Sequence, residues 1–97
     1  MARESKLQSE IRRHLKDKGC YVIKTQANAR GSVPTGCPDL FFFKEGFWGA
    51  LEIKADPTSP YEPLQEATLH KLDNWSWAKR VDPTTWPMIK QELEGIL

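Results

Sequence analysis

Cysteine, histidine and long apolar runs are all scarce in this chain of 97 residues. Cys20 and Cys37 form no CxxC pair and are too few for a disulfide scaffold, so a reduced, cytosolic setting is expected. His14 and His70 lie far apart with no Cys or His at ligand spacing, which argues against zinc and for surface or core histidines. The longest unbroken apolar run is Leu40 to Phe43. That is far short of the roughly 20 residues a membrane helix needs, so no membrane association is expected. The N-terminal stretch lacks the apolar centre of a signal peptide. Repeats and low-complexity segments are absent, and the nearest thing to a flexible stretch is 55–63, with three prolines. Excess charge is also lacking. A net of +1 with 10% aromatic and 39% hydrophobic residues excludes a disordered chain and fits one globular domain over 1–97. A domain this small buries only about two-thirds of its unfolded surface, which favours dimerisation.

The near-zero net charge hides an asymmetry. Residues 1–30 carry eight Lys/Arg against three acids, whereas 31–97 carry six against ten. The N-terminal third can therefore face a polyanion, although a solvated helix face explains the same charges.

Periodicity sets out the elements. Leu7, Ile11 and Leu15 recur every four residues and predict a helix over 3–18, ended by Gly19. Residues 21–25 alternate like a short strand, and 26–37 are rich in turn formers and read as a loop. A strand over 39–44, with a phenylalanine run expected to be buried on both faces, is followed by a Glu45-Gly46 turn and a returning strand over 47–54. A second helix fits 63–74, with Leu64, Ala67, Leu69 (or Thr68) and Leu72 inward. A strand over 76–81 follows, then a helix capped by Thr84 or Thr85, with Pro87 in its first turn and Ile89, Leu93 and Ile96 inward. The order α-β-β-β-α-β-α predicts an α/β fold, a small mixed sheet flanked by helices.

The informative stretch is Gly36-Cys37-Pro38-Asp39-Leu40, then Leu51-Glu52-Ile53-Lys54. On a strand Glu52 and Lys54 share one face while Leu51 and Ile53 take the other. A two-residue loop at Glu45-Gly46 pairs Lys44 with Phe47 and sets Asp39 opposite Glu52; a four-residue loop over 44–47 keeps that register, and an odd one would break it. The Cβ atoms of Asp39 and Glu52 are then roughly 4.5–5.5 Å apart. Two like charges so placed repel, and a shared proton, the Lys54 ammonium or a divalent cation would offset the repulsion. Mg²⁺ suits such a pair, because it takes carboxylate oxygens while keeping waters and phosphate oxygens. The plain alternative is a solvent-facing charged edge. Pro38, without an N–H, is tolerated at a strand start.

These motifs resemble the PD-(D/E)xK, restriction-endonuclease-like nucleases, and within them the compact VRR-Nuc type. The resemblance runs from Glu4 to Leu72: Glu4-x-x-Leu7-Gln8-x-x-Ile11, Gly36-x-Pro38-Asp39-Leu40, Leu51-Glu52-Ile53-Lys54, then Gln65 about one turn into the next helix. It implies Mg²⁺- or Mn²⁺-dependent hydrolysis of DNA phosphodiesters, metal ligation by Asp39, Glu52 and the Ile53 carbonyl, and a catalytic Lys54. Gln65 matches the family's helix glutamine by position and would bind a phosphate or a metal-bound water. For a further acid from the first helix, Glu4 is preferred over Glu10. On a wheel of about 100° per residue, Leu7, Ile11 and Leu15 lie within about 60° of Glu4, whereas Glu10 is about 120° away. After Leu72 the chain, with Trp75 and Trp77, follows the family only loosely.

Arg12, Arg13 and Lys16 on the first helix and Arg30 in the loop become candidate phosphate contacts once a nuclease site is accepted. Trp48, Trp75, Trp77 and Trp86 either stack on bases or pack the core. The expected function is a structure-selective endonuclease for branched, flap or junction DNA. It would act as a homodimer through the region 75–97, in the cytoplasm of a bacterial or phage-infected cell. The alternatives are a catalytically weak DNA-binding module of the same fold and a metal-binding structural protein.

Overall fold

The computed structural model describes residues 3–25 and 33–97. The elements follow in the order α1 (Arg3–Asp17), β1 (Tyr21–Lys24), β2 (Leu40–Lys44), β3 (Phe47–Ile53), α2 (Gln65–Trp75), β4 (Trp77–Val81) and α3 (Trp86–Ile96). This is the succession that periodicity predicts. The four strands form one sheet in the order β1-β2-β3-β4. The first two pairings are antiparallel and β3–β4 is parallel, so the sheet is mixed and α2 serves as the crossover. No helix among the described residues is long and apolar enough to cross a membrane.

The hairpin register is Lys44 with Phe47 through Leu40 with Leu51. That register sorts the side chains by face. Leu40, Phe42, Leu51 and Ile53 join Leu7, Ile11 and Leu15 of α1 and Trp86, Ile89 and Leu93 of α3 in the main core. Ala50, Ala78 and Leu69 form a smaller cluster under α2. Gly49 makes room for the fully buried Phe42, since a Cβ there would stand 2.4 Å from the Phe42 ring.

Several expectations shift. The strand of 39–44 begins at Leu40, and its phenylalanine run is not buried on both faces: α2 covers Ala50 and Ala78 but leaves Phe43 exposed beside Tyr21. Helix α2 starts at Gln65 rather than Pro63. Leu64, expected inside, is 62% exposed and adopts a left-handed conformation (φ 68°). The buried face of α2 is Gln65 and Leu69, with Leu72 partly buried. Those positions do share a helical stripe, but hydropathy cannot count a buried glutamine into it. Thr85 stands at the N-cap of α3, as expected, but its side chain makes no capping hydrogen bond. The Asp82 carboxylate closes the turn ahead of it, accepting from the N–H groups of Thr84 at 2.8 Å and Thr85 at 3.2 Å. Ile96 in the last turn is 42% exposed rather than inward. Trp77 and Trp86 belong to the chain's own core, so Trp75 is the one tryptophan of the C-terminal third left at the surface. The proline-rich stretch 55–63 is pinned rather than loose: Asp56 Oδ1 accepts from the Thr58 N–H at 2.9 Å, and Arg80 grips the loop's carbonyls.

Candidate active site

Three elements deliver acids to one end of the sheet. The first turn of α1 supplies Glu4, the entry to β2 supplies Asp39, and the exit of β3 supplies Glu52 and Lys54. All four line an open cleft of about 330 Å³, together with Gln65 from α2 and Ser59, Pro60 and Glu62 from the preceding loop. Gly36 lets this assembly close. It has φ 86°, and a Cβ there would stand 2.9 Å from the Leu64 backbone. The loop leading to Asp39 thus packs directly on the loop leading to Gln65.

Strand pairing stops at Leu40 with Leu51, one step short of the predicted Asp39–Glu52 pair. Asp39 instead turns its carboxylate onto the backbone of β3, where the Ile53 N–H donates to Oδ2 at 2.8 Å. Its carbonyl accepts from the Thr25 N–H at 2.9 Å, which holds Asp39 at the strand entry. Glu52 and Lys54 do share a face, while Leu51 and Ile53 are fully buried on the other. The Lys54 Nζ lies 3.5 Å from Glu52 Oε2. Gln65 ties the two together. Its Nε2 donates to Glu52 Oε2 at 2.7 Å, and its Oε1 accepts from Lys54 Nζ at 2.8 Å and from the Glu62 N–H at 2.7 Å.

The electrostatics follow from burial. Glu52 is 2% exposed. Its carboxyl is pushed up to about 7, first by desolvation and then by the Asp39 charge, with Lys54 opposing and Glu4 adding a little. Asp39 is also raised by burial, against the Ile53 N–H and the charges of Lys54 and Lys24. Glu4 is raised by burial and by Asp39. The Cys37 thiol beside the cleft is raised by burial and by the Glu52 and Asp39 charges. No His pairs with it, and it has no nucleophile's environment.

Does this donor set suit a divalent cation? Glu52 Oε1 is buried with no hydrogen-bond partner among the described residues. A buried carboxylate oxygen with nothing on it, beside a second carboxylate, is a natural ligand for a hard cation. Among the described residues no three His, Cys, Asp or Glu side chains gather closely enough to hold a metal ion unaided. A cation held by one or two carboxylates that keeps its waters, as Mg²⁺ does, fits. Ile53, expected to offer a carbonyl, is not among the residues lining the cleft.

Glu4 rather than Glu10 reaches the site. Glu10 has a structural task, accepting from Trp86 Nε1 at 3.0 Å. Arg12, Arg13 and Lys16 come together along α1 with Ser9 and Asp17, lining a separate open groove of about 390 Å³. Arg12 lies two turns from Glu4, about 12 Å along the axis. Arg30 falls outside the described residues. His14 packs edge-on against Trp86 at 5.6 Å, and His70 is exposed. Sequence reasoning missed the loop residues Ser59 and Glu62 and the Arg80 side chain, which donates to the Ser59 carbonyl at 2.7 Å. Only the density of prolines around them gave any signal. Compared with known proteins, the chain matches no family model, no curated protein and no solved structure.

Proposed function

We propose that this protein is a Mg²⁺- or Mn²⁺-dependent endonuclease that hydrolyses DNA phosphodiester bonds, with the restriction-endonuclease-like fold of the VRR-Nuc type. The observation that carries the reading is the convergence of Glu4, Asp39, Glu52 and Lys54 on one cleft, with Glu52 Oε1 free of hydrogen bonds among the described residues. The motif resemblance supports it independently. A bound divalent cation would supply Lewis-acid activation of the phosphoryl group and of water. Asp39 and Glu52 would hold it, with Glu4 at the rim. Lys54, steadied by Gln65, aims its ammonium where charge develops on the phosphoryl oxygens. The Arg12–Arg13–Lys16 groove offers phosphate contacts along the duplex; Arg30, outside the described residues, is a further candidate by its sequence alone. Cleavage of branched DNA on both strands needs two sites, and a twofold dimer in the cytoplasm meets that need.

Plasmid DNA incubated with Mg²⁺, Mn²⁺ or EDTA tests the reading. Metal-dependent nicking is expected. Retarded bands without cutting would make the protein a DNA-binding module of the same fold, and the absence of both nicking and retardation would remove DNA from its function.

A further inference from the structure

We propose that Arg80 is a positioning residue for Lys54, acting through the 56–62 loop and the Gln65 amide; the catalytic part of this inference rests on the nuclease reading above. Arg80 stands on β4 directly beside Glu52 on the parallel strand β3. A guanidinium one strand away from a buried carboxylate would ordinarily pair with it. Here its Nη2 is spent on backbone: 2.7 Å from the Ser59 carbonyl, 3.2 Å from that of Asp56 and 3.3 Å from that of Pro57. Its Cζ also lies 5.0 Å from the centre of the Tyr61 ring. One side chain therefore contacts four residues of the six-residue stretch 56–61, which contains the cleft-lining Ser59 and Pro60 and is flanked by two more lining residues, Ala55 and Glu62. The guanidinium lays its flat face towards the Tyr61 ring while Nη2 donates to the carbonyls, and an ammonium has no such face to hold both in one fixed geometry.

The consequence reaches the site through Glu62, the residue after Tyr61. Its N–H and the Lys54 ammonium both donate to Gln65 Oε1. Two donors on one oxygen settle which way the amide faces, and so direct Nε2 to Glu52. With the loop released, the Glu62 N–H leaves. The amide then loses one of the two contacts that define its sense, and Lys54 loses a fixed acceptor. A displacement of about 1 Å at a catalytic group costs up to about a hundredfold in rate.

Arg80→Lys and Tyr61→Leu are compared with wild type and with Gln65→Ala. Arg80→Lys is expected to retain the far-UV circular dichroism and the DNA affinity measured in EDTA, while kcat falls about tenfold and KM is little changed. In the Gln65→Ala background the same change should cost less than about threefold, because both act on one contact set. Independently of cleavage, the Gln65 side-chain NH₂ resonances of the metal-free protein, identified by their loss in Gln65→Ala, should move to the position of an exposed glutamine in Arg80→Lys and part-way in Tyr61→Leu, with the sheet amides unmoved. Unmoved Gln65 resonances in Arg80→Lys, or multiplicative losses in the double variant, overturn the proposal. Absence of cleavage by the wild type overturns the nuclease reading instead, and the resonances alone then decide the Arg80–Gln65 link.

Discussion

Gln65 Nε2 donates a 2.7 Å hydrogen bond to Glu52 Oε2, and this contact between two buried polar groups is what joins helix α2 to the acidic end of the sheet. Removing the amide leaves Lys54 with only the Glu52 carboxylate at 3.5 Å, and Glu52 with neither oxygen bonded by a neutral donor. Gln65→Ala should therefore cost about 1–3 kcal/mol of stability and lower cleavage at least tenfold. Chemical denaturation and plasmid nicking measure the two effects. A variant as stable and active as wild type would show that the amide only fills space.

Burial of Glu52 predicts a pH dependence of stability. Its folded-state value near 7 exceeds the ordinary 4.5, so between those limits the folded protein holds more protons than the unfolded chain. Stability therefore falls as pH rises through that window and levels off above it. Glu52→Gln removes the charge. In metal-free buffer at pH 8 the variant should be more stable than wild type, by up to roughly 3 kcal/mol, with the difference vanishing near pH 4.5. Urea melts at the two pH values check this. A variant less stable than wild type at pH 8 would mean that the Glu52–Lys54 pair outweighs desolvation.

Mg²⁺ should raise the melting temperature of wild type at pH 8, because a ligand bound to the folded state adds RT ln(1 + [L]/Kd). Asp39→Asn and Glu52→Ala should lose that shift and the cleavage activity while remaining folded. Lys54→Ala should lose activity but keep the shift. An undiminished shift in Glu52→Ala would take Glu52 out of the ligand set.

Glu4 and Glu10 share helix α1 but not a task. Glu4→Gln should impair cleavage with little change in melting. Glu10→Ala should leave kcat intact and lower stability by about 1 kcal/mol, through the lost Trp86 contact. The reverse pattern would reassign the helix acid.

The dimer is tested by sedimentation equilibrium at micromolar concentration. The C-terminal third exposes Trp75, Met88 and Ile96. Combined Trp75→Ala and Met88→Ala should shift a dimer towards the single-chain mass of 11.1 kDa. A wild-type mass at that value, with full activity, would show that one chain suffices.

Local pattern determined much of this molecule. The four-residue spacing of Leu7, Ile11 and Leu15 set α1 and its inward face, and with it the choice of Glu4 over Glu10. The Glu45-Gly46 turn set the hairpin register, and two-residue alternation put Glu52 and Lys54 on one face. These follow from periods of 3.6 and 2 that any chain must obey. What only the tertiary structure decided are the contacts between segments distant in sequence. Asp39 bonds the Ile53 N–H rather than facing Glu52 in the ladder, because pairing stops at Leu40. Gln65 is buried because a partner 13 residues away satisfies it, and hydropathy assigns such a residue to the surface. Arg80 staples a loop more than 20 residues earlier, Trp77 turns inward to donate its Nε1–H to Glu92 of α3, and Trp86 packs against Glu10 and His14 of α1. A polar side chain's place depends on who meets it, and that meeting exists only once the chain has folded.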